Sequence, residues 1–278
     1  MSHNTNPVAE AIKDVILTLM DRVMENVLKK DPFVAEQHRA EKPLYAALVP
    51  DEIFKGSHFE RRFVTPFGGV WEKLAKVAAL TGLGSAELSK TIVGNVGSGR
   101  LKRIQEVLNK LEHKDKNGSK TKPDWETEIK YILEGNGEPI PTTVICDVFA
   151  TNTSTRKIFS FELKSPLPNS DITKVSKEKL FKLYSMQPMQ IDEAYFALPY
   201  NPYGKKEDYA WSFPFRWFNM KKDKVVLIGD EFWDMIGGQG TYQMFISELN
   251  QIGKEYRERI YKEYLGIEPP KRDDEIKI

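Results

Sequence analysis

Asp147 and Glu162 lie in two short apolar runs of this 278-residue chain, and Lys164 directly follows the second. Thr142–Ala150 (TTVICDVFA) and Lys157–Leu163 (KIFSFEL) are rich in β-branched and aromatic residues, and the polar stretch TNTSTR separates them. That pattern predicts a β-hairpin. A period of two puts Ile145, Asp147 and Phe149 on one face of the first strand. It puts Ile158, Ser160 and Glu162, with Lys164 just beyond, on one face of the second. If Ala150 lies opposite Lys157, Asp147 faces Ser160 and Glu162 is its diagonal neighbour. Any register whose paired numbers sum to an odd total keeps the three together. Diagonal neighbours sit about 7–8 Å apart, close enough for two carboxylates to reach one cation.

Two carboxylates converging from a strand pair repel each other and lose hydration, so they need a positive partner. A hard divalent cation supplies it, and Mg²⁺ favours a few carboxylates plus waters. Lys164, on the same face, would then stand beside a metal-bound water. There it can orient or deprotonate a nucleophile and stabilise developing negative charge on a phosphoryl group. The competing reading is an exposed sheet face with two solvated carboxylates. Ile145 and Phe149 flanking Asp147 argue against it.

The Glu-x-Lys tripeptide alone says little. It occurs four times, at Glu112, Glu128, Glu162 and Glu275. The first runs into a charged linker, the second lies in a predicted helix and the fourth is in the polar tail. Only the third ends a hydrophobic strand that follows an Asp-bearing one. With that context, ICDVFA and FSFELKSPLPNSD resemble the core of the PD-(D/E)XK nuclease superfamily, and more narrowly a type II restriction endonuclease. FERRFVTPFGGVWEKLA, SPLPNSD and FALPYNPYG resemble the TdeIII-type group, and the likeness spans roughly residues 30–265. Cys146 stands where the superfamily pattern has proline. The resemblance implies Asp147 and Glu162 as metal ligands, Lys164 as the catalytic lysine and Mg²⁺ as cofactor. It also implies cleavage of double-stranded DNA at a short palindrome, of the GGNCC kind, by a homodimer with a cognate DNA methyltransferase as genetic partner. An upstream helical glutamate often joins such sites, and Glu72 and Glu60 are the candidates; a solvated helix glutamate explains either equally well. The rival readings are a nonspecific or repair nuclease of the same superfamily and a non-catalytic DNA-binding protein that keeps the fold. A glycosidase would leave Lys164 unexplained.

Several basic and polar residues are candidates for DNA contact. Between Arg156 and Lys182 seven basic residues face three acidic ones, a local balance of +4, which suits a phosphate backbone. Lys174 and Lys177 belong to this stretch. GNVGSGR, ending at Arg100, leads into a helix with Lys102 and Arg103, and its amides could hold a phosphate. An ordinary loop between helices is the stronger reading. In YNPYG, Asn201 could read a base edge, as could Lys205, Lys206 or Arg216 beyond it, against the plainer reading of a turn. Pro123-Asp124 is a decoy for the first acid, because Asp124 suits the N-cap of a helix beginning at Trp125.

Around these residues the expected class is α/β, with a central mixed β-sheet flanked by helices and a helical N-terminal region. Apolar residues at Val8, Ile12, Val15, Ile16, Leu19, Val23 and Val27 predict a first helix. Others are predicted over 69–80, 101–111, 172–186 and 242–264. Strands are expected at Glu193–Leu198 and Lys224–Ile228, and none before about residue 140. The expected organisation is a helical region over 1–113, a catalytic core over 123–265 and a polar tail over 266–278. One cysteine excludes a disulfide framework, and the scattered His3, His38, His58 and His113 argue against a histidine–metal site. The opening residues have no leader pattern and no spanning segment, so a cytoplasmic, prokaryotic protein that does not bind membranes is expected. Net charge is only +1, from 41 Lys and Arg against 40 Asp and Glu.

Overall fold

A computed structural model describes residues 7–271, 275 and 276. His3 lies outside the described residues, as do 272–274, 277 and 278 of the expected polar tail. The chain divides into two compact units, residues 1–74 with 243–278, and residues 75–242. These divisions fall within helices rather than near the charged linker at 113–123.

The first unit is helical. Helix α1 (Pro7–Glu25) buries Val8, Ile12, Ile16, Leu19 and Val23, the stripe expected from the sequence, while Lys13 and Asp14 stay out of it. A single wider turn, Asn26–Lys30, extends it. Two short helices follow, α2 (Ala35–Glu41) and α3 (Pro43–Ala46). Helix α4 (Asp51–Gly68) stacks Phe59, Phe63 and Phe67 at successive turns, and Phe67 meets Trp71 edge-on. Helix α5 (Val70–Gly82) carries the chain from the first unit into the second.

The second unit is built on a six-stranded mixed sheet in the order β4-β1-β2-β3-β5-β6. Its elements in chain order are β1 (Gly84–Gly97), α6 (Ser98–Glu112), α7 (Trp125–Leu133), β2 (Pro139–Asn152), β3 (Ile158–Leu163), α8 (Ser170–Ser185), β4 (Met186–Gln187), β5 (Glu193–Leu198), β6 (Val226–Ile228) and α9 (Asp230–Gly237). Helix α10 (Thr241–Arg259) then returns to the first unit, ending in a wider turn at Ile260–Leu265. Strands β1, β2 and β3 are antiparallel neighbours, while β3, β5 and β6 run parallel. A parallel pair needs a crossover, and α8 provides it between β3 and β5. Helices α6, α7 and α8 pack with the sheet around Val144, Cys146, Phe181, Phe196 and Trp125.

Strand β1 is the main departure from the sequence expectation. It is fourteen residues long and pairs with β2 along its length. Every second residue from Glu87 to Asn95 is exposed, but Lys90 and Gly94 share the inward positions with Ala86, Leu88, Ile92 and Val96, so the apolar signal is weak. GNVGSG is accordingly the end of a strand and the start of α6, not a loop between helices. A Cβ on Gly99 would lie 1.9 Å from the carbonyl oxygen of Asn136. The glycine therefore allows the start of α6 to press against the 135–138 segment, which occupies the place expected for a phosphate.

Candidate active site

The hairpin register pairs Val148 with Phe161, Phe149 with Ser160 and Ala150 with Phe159. Paired numbers sum to 309, odd as required. The expected Ala150–Lys157 pairing is displaced by two residues, because Asn152 closes the turn by donating its N–H to the Lys157 carbonyl. The shift improves the meeting, since extending the ladder one step puts Asp147 directly opposite Glu162.

Strict alternation also fails, at Asp147 itself. Ser160 shares a face with Phe149, its ladder partner, yet Ser160 Oγ lies 2.9 Å from Cys146 Sγ. Cys146 and Phe149 are three residues apart, so the strand slips by one position between them. Opposite the slip the β1–β2 ladder omits the Ser89–Asp147 pair, and Ser89 takes a left-handed φ of 51°. Paired numbers sum to 236 on both sides of that gap, so the break adds no residue to either strand. Here it turns the Asp147 carboxylate toward β3, where it accepts the N–H of Leu163 at 2.9 Å.

Around that point the three expected residues come together. Lys164 Nζ lies 2.6 Å from Asp147 Oδ2 and 2.8 Å from Glu162 Oε1. Lys164 is anchored by its own N–H, donated to the Ala197 carbonyl on β5. Glu162 is 3% exposed. Burial alone would lower the Lys164 ammonium, but the charges of Glu162 and Asp147 outweigh it and hold it above the usual lysine value. Burial pushes the neighbouring Cys146 thiol up to about 11.

Two further residues complete the cluster, and neither was singled out for the site from the sequence. Lys179 Nζ contacts both oxygens of Glu162 at 2.9 Å, and Ser176 Oγ approaches Oε1 at 3.4 Å. Both stand on α8, three residues apart on one helical face. That spacing, in a helix leaving the Glu-x-Lys strand, is the signal that could have revealed them.

The remaining candidates have other placements. Glu60 and Glu72 lie on α4 and α5 in the first unit. Among the described residues no group of three or more His, Cys, Asp and Glu side chains that could hold a metal is found.

Lys177 is the clear correction among the DNA-contact candidates. Its side chain is fully buried, paired with Glu128 at 2.5 Å, bonded to the Trp217 carbonyl and ringed by Trp125, Phe181 and Phe218. Lys174 pairs with Glu112 at 2.6 Å. Arg100 donates to the carbonyls of Ser185 and Gly135, and Arg103 to that of Tyr131, so both fasten α6 to its neighbours. Asn201 closes its own turn through the Lys205 carbonyl and the Tyr203 N–H. Lys102 and Lys205 are exposed, and Arg216 is half-buried. The +4 stretch is not a free basic surface either. Six of its seven cations are in ion pairs, and Arg156 has none among the described residues. Asp124 caps α7 as expected, accepting the Thr127 N–H at 2.8 Å.

A family model described as "Type II restriction endonuclease, HinfI" matches residues 8–253. The chain belongs to this family. The HinfI-family match does not bear on the finer TdeIII-type resemblance. Among curated proteins, the type II restriction enzyme HgiCII of Herpetosiphon aurantiacus is 26% identical over 230 residues, covering 81% of this chain and 82% of its own. HgiEI, from the same organism, is 26% identical over 220 residues, with 76% and 77% covered. A HinfI-family restriction endonuclease cuts DNA internally, so phosphodiester hydrolysis is the chemistry that the Asp147–Glu162–Lys164 cluster must be judged against. No described helix is long and apolar enough to cross a membrane.

Proposed function

We propose that this type II restriction endonuclease hydrolyses double-stranded DNA at a short palindromic site in a Mg²⁺-dependent reaction. In this reading Asp147 and Glu162 hold the metal, and Lys164 serves the reacting phosphate. One observation carries the assignment: an oxygen from each carboxylate stands within hydrogen-bond distance of the same ammonium. Two carboxylates that share one cation can share another, and Mg²⁺ commonly takes one or two carboxylates and completes its shell with water and substrate oxygens. The donor set therefore fits.

Bound there, Mg²⁺ would supply Lewis acidity and a water of lowered pKa. The protein's own contribution is positional. The slip at Asp147 and the strand end at Leu163 bring the two carboxylates together where the central strands β2 and β3 meet. Lys164 brings a fixed positive charge and hydrogen-bond donors to where a phosphoryl group gains negative charge during in-line attack. The expected products are a 5′-phosphate and a 3′-hydroxyl. One cluster per chain and two strands to cut call for a second copy, so a two-fold dimer matched to a palindrome is part of the proposal. A cognate methyltransferase protecting the host's own sites, and a place of action in the prokaryotic cytoplasm, go with it.

The test is incubation of the full chain with unmethylated plasmid and Mg²⁺. Discrete fragments that require the metal support the reading. A smear would make the protein a nonspecific nuclease, and DNA left intact would remove the catalytic assignment.

A further inference from the structure

The proposed reaction gives Lys179 no task, yet this residue has the most complete hold on Glu162. One ammonium spans both oxygens of the carboxylate at 2.9 Å each. Glu162 is nearly inaccessible to water, so without a positive partner its ionised form would bear a heavy desolvation cost. Lys164 alone does not meet that need, because its ammonium is divided between Glu162 and Asp147. Ser176 adds only a long contact at 3.4 Å. Lys179 also stands on a different element from either strand. It thus braces Glu162 from α8 while the strands fix its backbone.

We propose that Lys179 is a positioning residue that acts as the resident counter-ion of Glu162 and sets how tightly the site holds a divalent cation. The inference rests on the metal reading above. A cation that takes an oxygen of Glu162 must take it from Lys179 and then sit within a few ångströms of a like charge. In a half-buried site that repulsion is large. The ammonium therefore keeps Glu162 ionised and aimed, and weakens the cation's grip. A purely structural ion pair would stabilise the fold without changing cation affinity relative to other variants that fold.

The experiment is calorimetric titration of Mn²⁺ into the full-length protein without DNA, with melting temperature followed in parallel. Asp147→Asn is the control for the site and should abolish binding. Lys179→Met should bind Mn²⁺ at least roughly tenfold more tightly than the native chain. It should also melt lower in chelator and show a larger rise in melting temperature on adding Mn²⁺. Lys179→Arg, which restores the charge, should titrate like the native protein. If Lys179→Met does not fold, Lys179→Gln, which removes the charge but keeps a donor for Glu162, carries the same expectation. Unchanged or weaker Mn²⁺ binding in the charge-removed variant that folds overturns the proposal while leaving the metal site standing. Failure of the native chain to bind Mn²⁺ removes the metal reading and this proposal with it.

Discussion

Asp147 owes its usefulness to a fault in the strand that carries it. A regular strand would send Cys146 and Asp147 to opposite faces, but both reach β3, Cys146 through Ser160 and Asp147 through Lys164. Residue types and spacing marked Asp147, Glu162 and Lys164 because those depend on strand parity, and the odd register held. The slip was not legible, since no glycine or proline stands at Asp147 or Ser89 to announce it. Lys164→Ala should slow cleavage by roughly 10²–10⁴-fold while leaving DNA retention in a gel-shift assay nearly unchanged. Full activity in that variant would refute the assignment. Cys146 gives a check on the packing around Asp147. It is 1% exposed and its thiol is pushed up to about 11 by burial. Iodoacetamide at pH 8 should leave the native protein largely unmodified by mass spectrometry and alkylate it fully in urea. Rapid labelling of the folded chain would mean that the Cys146–Ser160 contact is open.

At the level of elements, α8 does two unlike jobs with neighbouring lysines. Lys179 points to Glu162 on the central strand β3, whereas Lys177 enters the core between α7 and the Trp217 segment. A basic helix after the Glu-x-Lys strand was legible; which lysine turns inward was not, because Glu128 reads as an ordinary helix residue. Burial raises Glu128 and lowers Lys177, each opposed by the other's charge. Removing one partner of such a pair leaves a buried charge alone. Lys177→Met should therefore cost about 3–5 kcal/mol in urea unfolding, and adding Glu128→Leu should restore most of it. A double variant as unstable as the single would show that the pair is not the reason. Strand β1 escaped notice for a different cause: its exposure alternates, but Lys90 and Gly94 on the inward positions dilute the apolar signal, and it pairs with β2 along its length. The Asp124 cap, by contrast, was fully legible. The Thr127 hydrogen bond holds its carboxyl below the ordinary value of 3.8. A folded-state pKa that is lowered contributes stability above the unfolded value and loses it as pH falls through the folded one. The gap in urea midpoint between native and Asp124→Ala should thus be present at neutral pH and close below about pH 4. A gap that persists at pH 2 would rule out the cap as its source.

For the molecule as a whole, near-neutral charge follows from how the ions are arranged. The basic run after the hairpin is spent on internal pairs, so a net +1 does not conceal a free cationic face there. Phosphate contacts position such an enzyme on DNA but carry no sequence information, so discrimination between sites comes from contacts to base edges. Cutting both strands is then a question of copy number. Each chain carries one Asp147–Glu162–Lys164 cluster, and a palindrome presents the same scissile bond twice, related by a two-fold axis. Under the proposed dimer each copy severs one strand. This predicts the outcome of a mixing experiment. Native chain unfolded and refolded with excess Lys164→Ala should form mixed dimers with one working cluster. On supercoiled plasmid those should give open circles far faster than linear product, and agarose gels separate the two. If linear DNA appears at the same rate relative to nicked DNA as with the native protein, each chain cuts both strands by itself and the two-fold arrangement is wrong.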